Sequence, residues 1–546
     1  VSARQNTAAM SPRDVVGHWT PDAGSAIAFE ADALAQAAAR PRQTVHLLRE
    51  ATTGRIGVAS GGSVASTPGT GTWPLLATLP SLYPEWLGDR SFGEAHGVRF
   101  PYASGEMAGG IASVEMVVAM SQAGMLGFFG AAGLPLARVE AAVHALMQQL
   151  GTQAAWGVNI IHSPNEAALE EAVADLLIRA GVPCVSASAF MSITPAIVRC
   201  AAAGLHVDGE GRKVRARQVF AKISRPEIAE RFMSPPPAEM LAKLVARGLL
   251  TPTEAALAAQ LPIAEDITVE ADSGGHTDNR PLTVLLPAML ALRDQITARH
   301  PGFPRIRIGA AGGLGTPSAV AAAFALGADY VMTGSVNQAA VESGLSATGR
   351  AMLAKADLAD VAMAPSADMF ELGVKVQVLK RGTMFASRAG KLYEAYTQHD
   401  GLHALPAALC ARLEAEIFHG PLEAAWASTR AFWAERDPEE VTRAERDPKH
   451  RMALTFRAYL GMSSRWAITG DPARQADYQV WCGPAMGAFN RWVAGSFLAD
   501  PAARSVVQIA RNLLEGACVL TRAQQLRTHG VALPGAAFHF APRPLD

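Results

Sequence analysis

Residues 305–338, RIRIGAAGGLGTPSAVAAAFALGADYVMTGSVNQ, constrain the fold more than any other stretch of the chain. An apolar alternation reaches Gly309, Gly312 and Gly313 follow, an Ala-rich helical run ends at Leu326-Gly327, and a second strand pattern stops at Gly334-Ser335. The order is strand, Gly-rich turn, helix, strand, with glycines at the carboxyl ends of both strands. Such glycines leave backbone N–H groups bare, and a helix opened by Thr316-Pro317 adds the positive end of its dipole. Together they can grip a phosphate. In a (β/α)8 barrel such a grip is built from the loops after the seventh and eighth strands. An ordinary crossover whose glycines serve only tight turns is the alternative.

From residue 100 onward, apolar strand patterns at 100–103, 125–129, 155–161, 182–187, 218–223, 266–270, 306–309 and 330–333 alternate with amphipathic helical patterns. Eight strands so arranged predict an α/β fold, a TIM (β/α)8 barrel, with a doubly wound open sheet as the alternative. The count and the placement of the grip favour the barrel. Residues 96–350 therefore form the expected barrel domain. Before it, 1–95 reads as an extension of short helical signals and turns, in which SGGSVASTPGTGT (60–72) is a flexible linker. After it, 351–546 is mainly α-helical in pattern, with a strand-like run inside ELGVKVQVLKRGTMF. One interval breaks the rhythm. Residues 224–265, after the fifth strand, carry two short helical patterns, and an insertion there would lie over the barrel mouth as a lid or substrate platform.

Lys plus Arg number 48 against 49 for Asp plus Glu, so no net field draws the chain to nucleic acid or an anionic membrane. The 5 cysteines are scattered, with no C-x-x-C pair, which suits a reducing compartment. No apolar run reaches membrane-spanning length and the first twenty or so residues lack the apolar core of a leader. A soluble, cytoplasmic protein is expected, with a processed or cloned terminus ahead of Val1.

The second chemical focus is VEADSGGHTDNRP (269–281), directly after the sixth strand. It gathers Glu270, Asp272, Gly274, Gly275, His276, Asp278 and Arg280 at the mouth. The glycines allow close backbone approach to a flat ligand, and His276 can exchange a proton near neutral pH. A structural or merely exposed histidine is the competing reading. Metal chemistry has little support: His399 and His403 are separated by the turn residues Asp400-Gly401 and form no H-E-x-x-H motif. A nucleophile elbow, a Walker lysine and a dinucleotide G-x-G-x-x-G are all missing.

The order ASGEMAGG (103–110), GVNI (157–160), EADSGGHTD (270–278), AAGGLGTP (310–317) and TGS (333–335) resembles the flavin-dependent enoyl reductase and nitronate monooxygenase superfamily. Within it, the SRPE and PPP-containing insertion, HTDNRP, YLGMSSRWA and DYQVWCGPAMGAFN resemble the PfaD-type trans-acting enoyl reductases of polyunsaturated fatty acid and polyketide synthases. The resemblance implies noncovalent FMN, with NADPH, or NADH, as hydride donor. Carried over by position, Ala310, Gly312, Gly313, Gly334 and Ser335 would hold the phosphate end. Met107 and Asn159 would approach the ring and its polar edge, Glu270 and Gly275 the ribityl chain and ring, and His276 would be the catalytic acid. The run Thr277-Asp278-Asn279-Arg280 departs from simpler relatives and leaves the pose of His276 open; Lys222, Arg225 and Arg280 receive no role. An acyl carrier protein bearing an enoyl thioester and a synthase complex are the implied partners, and a homo-oligomer is compatible with the pattern. For carrier docking, two basic groups stand out, 212–217 and 375–391. Two other readings stand beside reduction: an oxidase like nitronate monooxygenase, and a non-catalytic scaffold within a synthase.

Overall fold

A computed structural model describes residues 15–163 and 166–545. The stretch 1–14, where a leader was sought, lies outside the described residues.

The region ahead of the barrel is built on an antiparallel sheet, which corrects the expected extension of helices and turns. β1 (Gly17–Thr20), β2 (Ile27–Ala28), β3 (Val45–Arg49), β4 (Ile56–Ala59), β5 (Ser63–Ala65) and β6 (Trp73–Leu79) stand in the order β2-β4-β3-β6-β1-β5. Within the Ala-rich run only Ala31–Ala38 is helical, and the presumed linker contributes β5, which pairs with β1. All three β5 residues are exposed, so the strand is held by its ladder and carries no apolar signature.

Parallel strands then close the barrel where the apolar runs predicted them. They begin with β7 (Tyr102–Ser104), β8 (Leu126–Phe129), β9 (Trp156–Ile161) and β10 (Cys184–Ser188). A small hairpin of β11 (His206–Val207) and β12 (Lys213–Val214) intervenes before β13 (Gln218–Ile223) and β14 (Asp266–Glu270). β15 (Gly275–His276) leaves to join another sheet, and β16 (Arg307–Ala311) and β17 (Tyr330–Thr333) complete the ring, where Val331 pairs with Tyr102. Phe128, Phe220 and Tyr330 fill the interior, with Phe220 edge-on to both. A Cβ at Gly309 would lie 2.3 Å from the Tyr330 ring, so glycine there makes room for the tyrosine. Charge plugs the amino-terminal end: Arg307 donates Nε and Nη2 to Asp266 at 2.6 Å each, and His96 Nε2 lies 3.1 Å from the same carboxylate.

The 224–265 insertion is not a lid. Its helices Pro226–Phe232, Ala238–Ala246 and Pro252–Ala258 make the crossover from the fifth to the sixth barrel strand. The last two lie on the flanking helix Pro195–Ala202 and bury Leu241, Leu244 and Leu257 in the main core. Glu254 accepts the Gly204 N–H at 2.6 Å, and Arg215, just ahead of β13, donates to Glu265 at 2.7 Å. These partners anchor the insertion on the flank and toward the amino-terminal end, away from the mouth. Burying its apolar stripe there outweighs standing exposed over the opening.

Beyond the barrel, β18 (Val361–Pro365) and β19 (Lys375–Leu379) pair antiparallel, and β15 adds to the other edge of β19. Helices Phe385–Gln398 and Pro448–Thr469 cover this sheet around a second apolar cluster that includes Phe370, Phe385, Leu392 and Phe456. The repeated Glu-Arg-Asp-Pro marks two like helix starts, in which Asp437 and Asp447 cap and proline follows. The chain then returns to the barrel. Helix Val506–Thr528 lies against Pro317–Ala325, and its Arg522 donates to Pro41 O at 3.2 Å and Leu79 O at 3.3 Å, tying the barrel to the amino-terminal sheet. Among the described residues no helix is long and apolar enough to cross a membrane.

Candidate active site

The glycine turns lie together at the carboxyl end of the barrel because β16 and β17 are neighbours in the ring. Gly312 and Gly313 follow β16 with φ of +90° and +74°, a left-handed pair that side chains resist. A Cβ on Gly312 would lie 2.7 Å from the Ala271 carbonyl carbon, whereas one on Gly313 or Gly334 would meet nothing within 4 Å. The turn is thus tight on its inner side and open on the other. Ser335 accepts the Gly483 N–H at 3.1 Å, which leaves its hydroxyl hydrogen to donate. Ala310 is wholly buried in β16 and supports the turn from below.

Three strand ends bring charge to the same mouth. Lys222 of β13 lies 3.2 Å from Glu106, just after β7, and 3.3 Å from Glu270 at the end of β14. Burial alone would lower the lysine, but the two carboxylates outweigh it and hold the ammonium above its ordinary value. Neither Glu106 oxygen has a well-formed hydrogen bond among the described residues. The contact with Lys222 is one of charge, and accepting capacity remains at the mouth. Asn159 of β9 is 1 % exposed and donates its amide to Ser186 O at 3.2 Å and Ser188 Oγ at 2.8 Å, which leaves its carbonyl oxygen for a ligand's polar edge. Met107, next to Glu106 in the loop after β7, is buried.

His276 is placed in a strand rather than a free loop. Gly275 and His276 form β15 against Gln377 and Val376, and Gly275 has φ +85°. The histidine Nε2 lies 3.1 Å from Ser366 Oγ and 3.2 Å from Asp368 Oδ1. Burial lowers its affinity for a proton, but the Asp368 hydrogen bond and charge more than compensate, so its pKa is raised. The unfamiliar Thr277-Asp278-Asn279-Arg280 run acts as a brace. Asp278 accepts from Ser224 at 2.7 Å and from Arg225 Nε at 3.0 Å, which also gives Arg225 a place. Asn279 takes the left-handed conformation and donates to Asp272 at 2.9 Å.

Several contributors have no role assigned to them in the sequence. The segment 480–483 runs beside β19, where Leu379 N donates to Val480 O at 2.8 Å, and so reaches the grip. A Cβ on Gly274 would lie 2.8 Å from Cys482 N, and one on Gly315 would lie 2.1 Å from Ala485 O. The tail thus seals one wall of the site. Glu106 lies within the ASGEMAGG motif, and its charge was the available signal. Ser366 and Asp368 lie about ninety residues downstream of His276, between β18 and β19, with nothing local to mark them.

A barrel with paired glycine turns on adjacent strands and a histidine at its mouth defines the class, and the family model described as nitronate monooxygenase matches residues 92–399. That is more than half of the chain, which belongs to this family. A second model, the inserted helical domain of [acyl-carrier-protein] S-malonyltransferase, matches residues 399–478, within the second apolar cluster. The chain is 47 % identical over 468 residues to one component of the polyunsaturated fatty acid synthase of Thraustochytrium sp., covering 84 % of this chain and 31 % of that protein. It is 45 % identical over 436 residues to polyketide biosynthesis protein PksE of Bacillus subtilis, covering 80 % of this chain and 56 % of that protein. The chain therefore spans a third to a little over half of these curated relatives. The enoyl reductase domain of MlnA, from the macrolactin cluster of Bacillus amyloliquefaciens, matches with a TM-score of 0.77 and 37 % identity, over 81 % of this chain and 99 % of that domain. The resemblance to the superfamily and to its synthase-associated members holds.

Proposed function

We propose that the chain is an FMN-dependent enoyl reductase that saturates the 2,3 double bond of an enoyl thioester carried by an acyl carrier protein, beside a polyketide or polyunsaturated fatty acid synthase. The observation that carries this reading is the meeting, at one mouth, of an open glycine cradle and a histidine paired with a carboxylate. The likeness to the MlnA enoyl reductase domain, over 81 % of this chain, supports the choice of reaction.

The residues present fit FMN. Gly313, Gly334 and Ser335 offer N–H and O–H donors beside open space for the phosphate, and the Asn159 carbonyl oxygen can accept from the ring edge. Bound there, FMN would supply hydride, taken from NADPH, to the β-carbon of the substrate. His276, as the imidazolium, would give a proton to the α-carbon and stabilise charge developing on the thioester oxygen. Lys222 would balance Glu106 and Glu270 and keep the mouth from repelling an electron-rich intermediate.

For the carrier protein, ion pairs within the chain bear on which members of the two basic groups are open to a partner. Arg212 and Arg215 are ion-paired within the chain, and in the second group so are Arg381, Arg388 and Lys391. Lys380, beside exposed Met384 at a surface cavity of about 500 Å³, is the better candidate for an acidic partner. It stands just past the end of β19, four residues on from Val376, the partner of His276, roughly 13 Å at strand rise.

An anaerobic absorption titration tests the reading. Purified protein should be yellow, bleach with NADPH and regain colour with a crotonyl carrier thioester. Recovery only on admitting oxygen would indicate an oxidase, and protein that cannot take up FMN would indicate a scaffold.

A further inference from the structure

His276 is a third exposed and touches a hairpin loop outside the barrel, and the hydrogens of that contact can be assigned. Ser366 is buried, and its hydroxyl donates its single hydrogen to Asp368 Oδ1. Toward the histidine, Ser366 can therefore only accept, and so can an ionised Asp368. Nε2 must be the donor to both. That leaves Nδ1, which has no hydrogen-bond partner among the described residues, as the nitrogen whose proton comes and goes.

The loop that holds Ser366 and Asp368 is fastened from the helical unit. Arg457, on helix Pro448–Thr469, donates Nε to Ala367 O at 2.9 Å and lies 3.1 Å from Glu371 through Nη1. Phe370 between them is wholly buried, with Tyr396 and Tyr393 at ring distances of 5.1 and 5.4 Å. The backbone of Ser366 is tied to Val374 O at 2.9 Å, so the loop is closed at its neck as well.

We infer that Ser366 and Asp368 are positioning residues that fix His276 as the Nε2–H tautomer and make Nδ1 its proton-exchanging nitrogen, and that Arg457 carries this clamp from the helical unit to the barrel. The helical unit is then part of the catalytic apparatus and not only an appended module. The inference rests on His276 being the proton donor proposed above. Three charged groups face the imidazole from different elements: Asp368 from the hairpin loop and Glu270 from β14 favour its protonation, and Lys222 from β13 opposes it. Asp368 is the closest of them, so its charge should dominate the titration.

The test uses FMN-loaded full-length enzyme. Nitrogen-15 histidine spectra, with the His276 signal assigned by its loss in His276→Gln, should show the neutral ring as the Nε2–H tautomer. In Asp368→Asn the His276 titration, and the alkaline limb of kcat that follows it, should both move down by roughly one pH unit, with KM for the enoyl thioester little changed. Arg457→Met should move both in the same direction by less, and Arg457→Lys should restore part of the shift. An Nδ1–H tautomer in the unaltered enzyme, or an unmoved His276 titration in Asp368→Asn, would overturn the clamp. An unmoved titration in Arg457→Met would remove the helical unit from it. The spectra need no turnover, so they decide the clamp even if no enoyl thioester is reduced; that failure would count against the functional reading alone.

Discussion

The two ends of the barrel use the same kinds of residue to opposite purpose. At the amino-terminal end one carboxylate, Asp266, meets Arg307 through two 2.6 Å bonds and His96 through a third contact, all of them buried. At the carboxyl end one cation, Lys222, is shared between Glu106 and Glu270 at 3.2 and 3.3 Å, and Glu106 keeps both oxygens without a well-formed hydrogen bond among the described residues. A buried charge whose bonding capacity is filled can only hold structure. One whose capacity is left open can meet a ligand, and the mouth accumulates such groups: the Glu106 oxygens, the Asn159 carbonyl, the Ser335 hydroxyl hydrogen and His276 Nδ1.

Breaking the closed end should have the largest effect on stability. Arg307→Met leaves Asp266 short of its main partner and should cost about 3–5 kcal/mol in urea unfolding, while the FMN affinity of the protein that remains folded is unchanged. The pH dependence has a definite sign. Against the upward push of burial, His96 and Arg307 hold the Asp266 carboxyl down to about 2. Its contribution is therefore present above the ordinary carboxylate range and lost as pH falls toward 2, and acid unfolding of Arg307→Met should begin at higher pH. Equal stability of the two proteins at every pH would erase the contrast between the ends. Next in size, Gly312→Ala puts a methyl 2.7 Å from the Ala271 backbone at a left-handed residue and should weaken FMN retention at least tenfold on gel filtration, with a much smaller change in melting temperature. The smallest effect belongs to the rim. Lys380→Glu should raise KM several-fold for a carrier-borne thioester and leave a coenzyme A thioester unaffected, since an exposed charge contributes about 1 kcal/mol or less.

What could be read in advance follows the same division. The barrel strands were legible because parallel strands buried on both faces are continuous apolar runs, as in Leu126–Phe129, and because Gly312-Gly313 and Gly334 punctuate the ends of β16 and β17. β5 was not, since Ser63–Ala65 is exposed throughout and owes its conformation to pairing with β1. Two of the three 224–265 helices are legible, Pro226–Phe232 is not, and their seat differs from the expected one, because where an amphipathic segment docks depends on a partner surface that local pattern does not contain. Within the site, Gly312, Gly313, Gly334 and Ser335 stand at the ends of neighbouring strands, and His276 lies in the short strand that follows β14. Asp368 was invisible, and Gly483 lay in the DYQVWCGPAMGAFN motif without an assigned place: each reaches the mouth through β19, by contacts spanning about ninety or more residues.

In the proposed reaction His276 serves the delivery of a proton to substrate and not the loading of the flavin. Stopped-flow measurement of His276→Ala separates these directly. NADPH should reduce its bound FMN at the unaltered rate, and reoxidation by a crotonyl carrier thioester should slow by about 10²–10⁴-fold. Reoxidation at full speed would contradict the account.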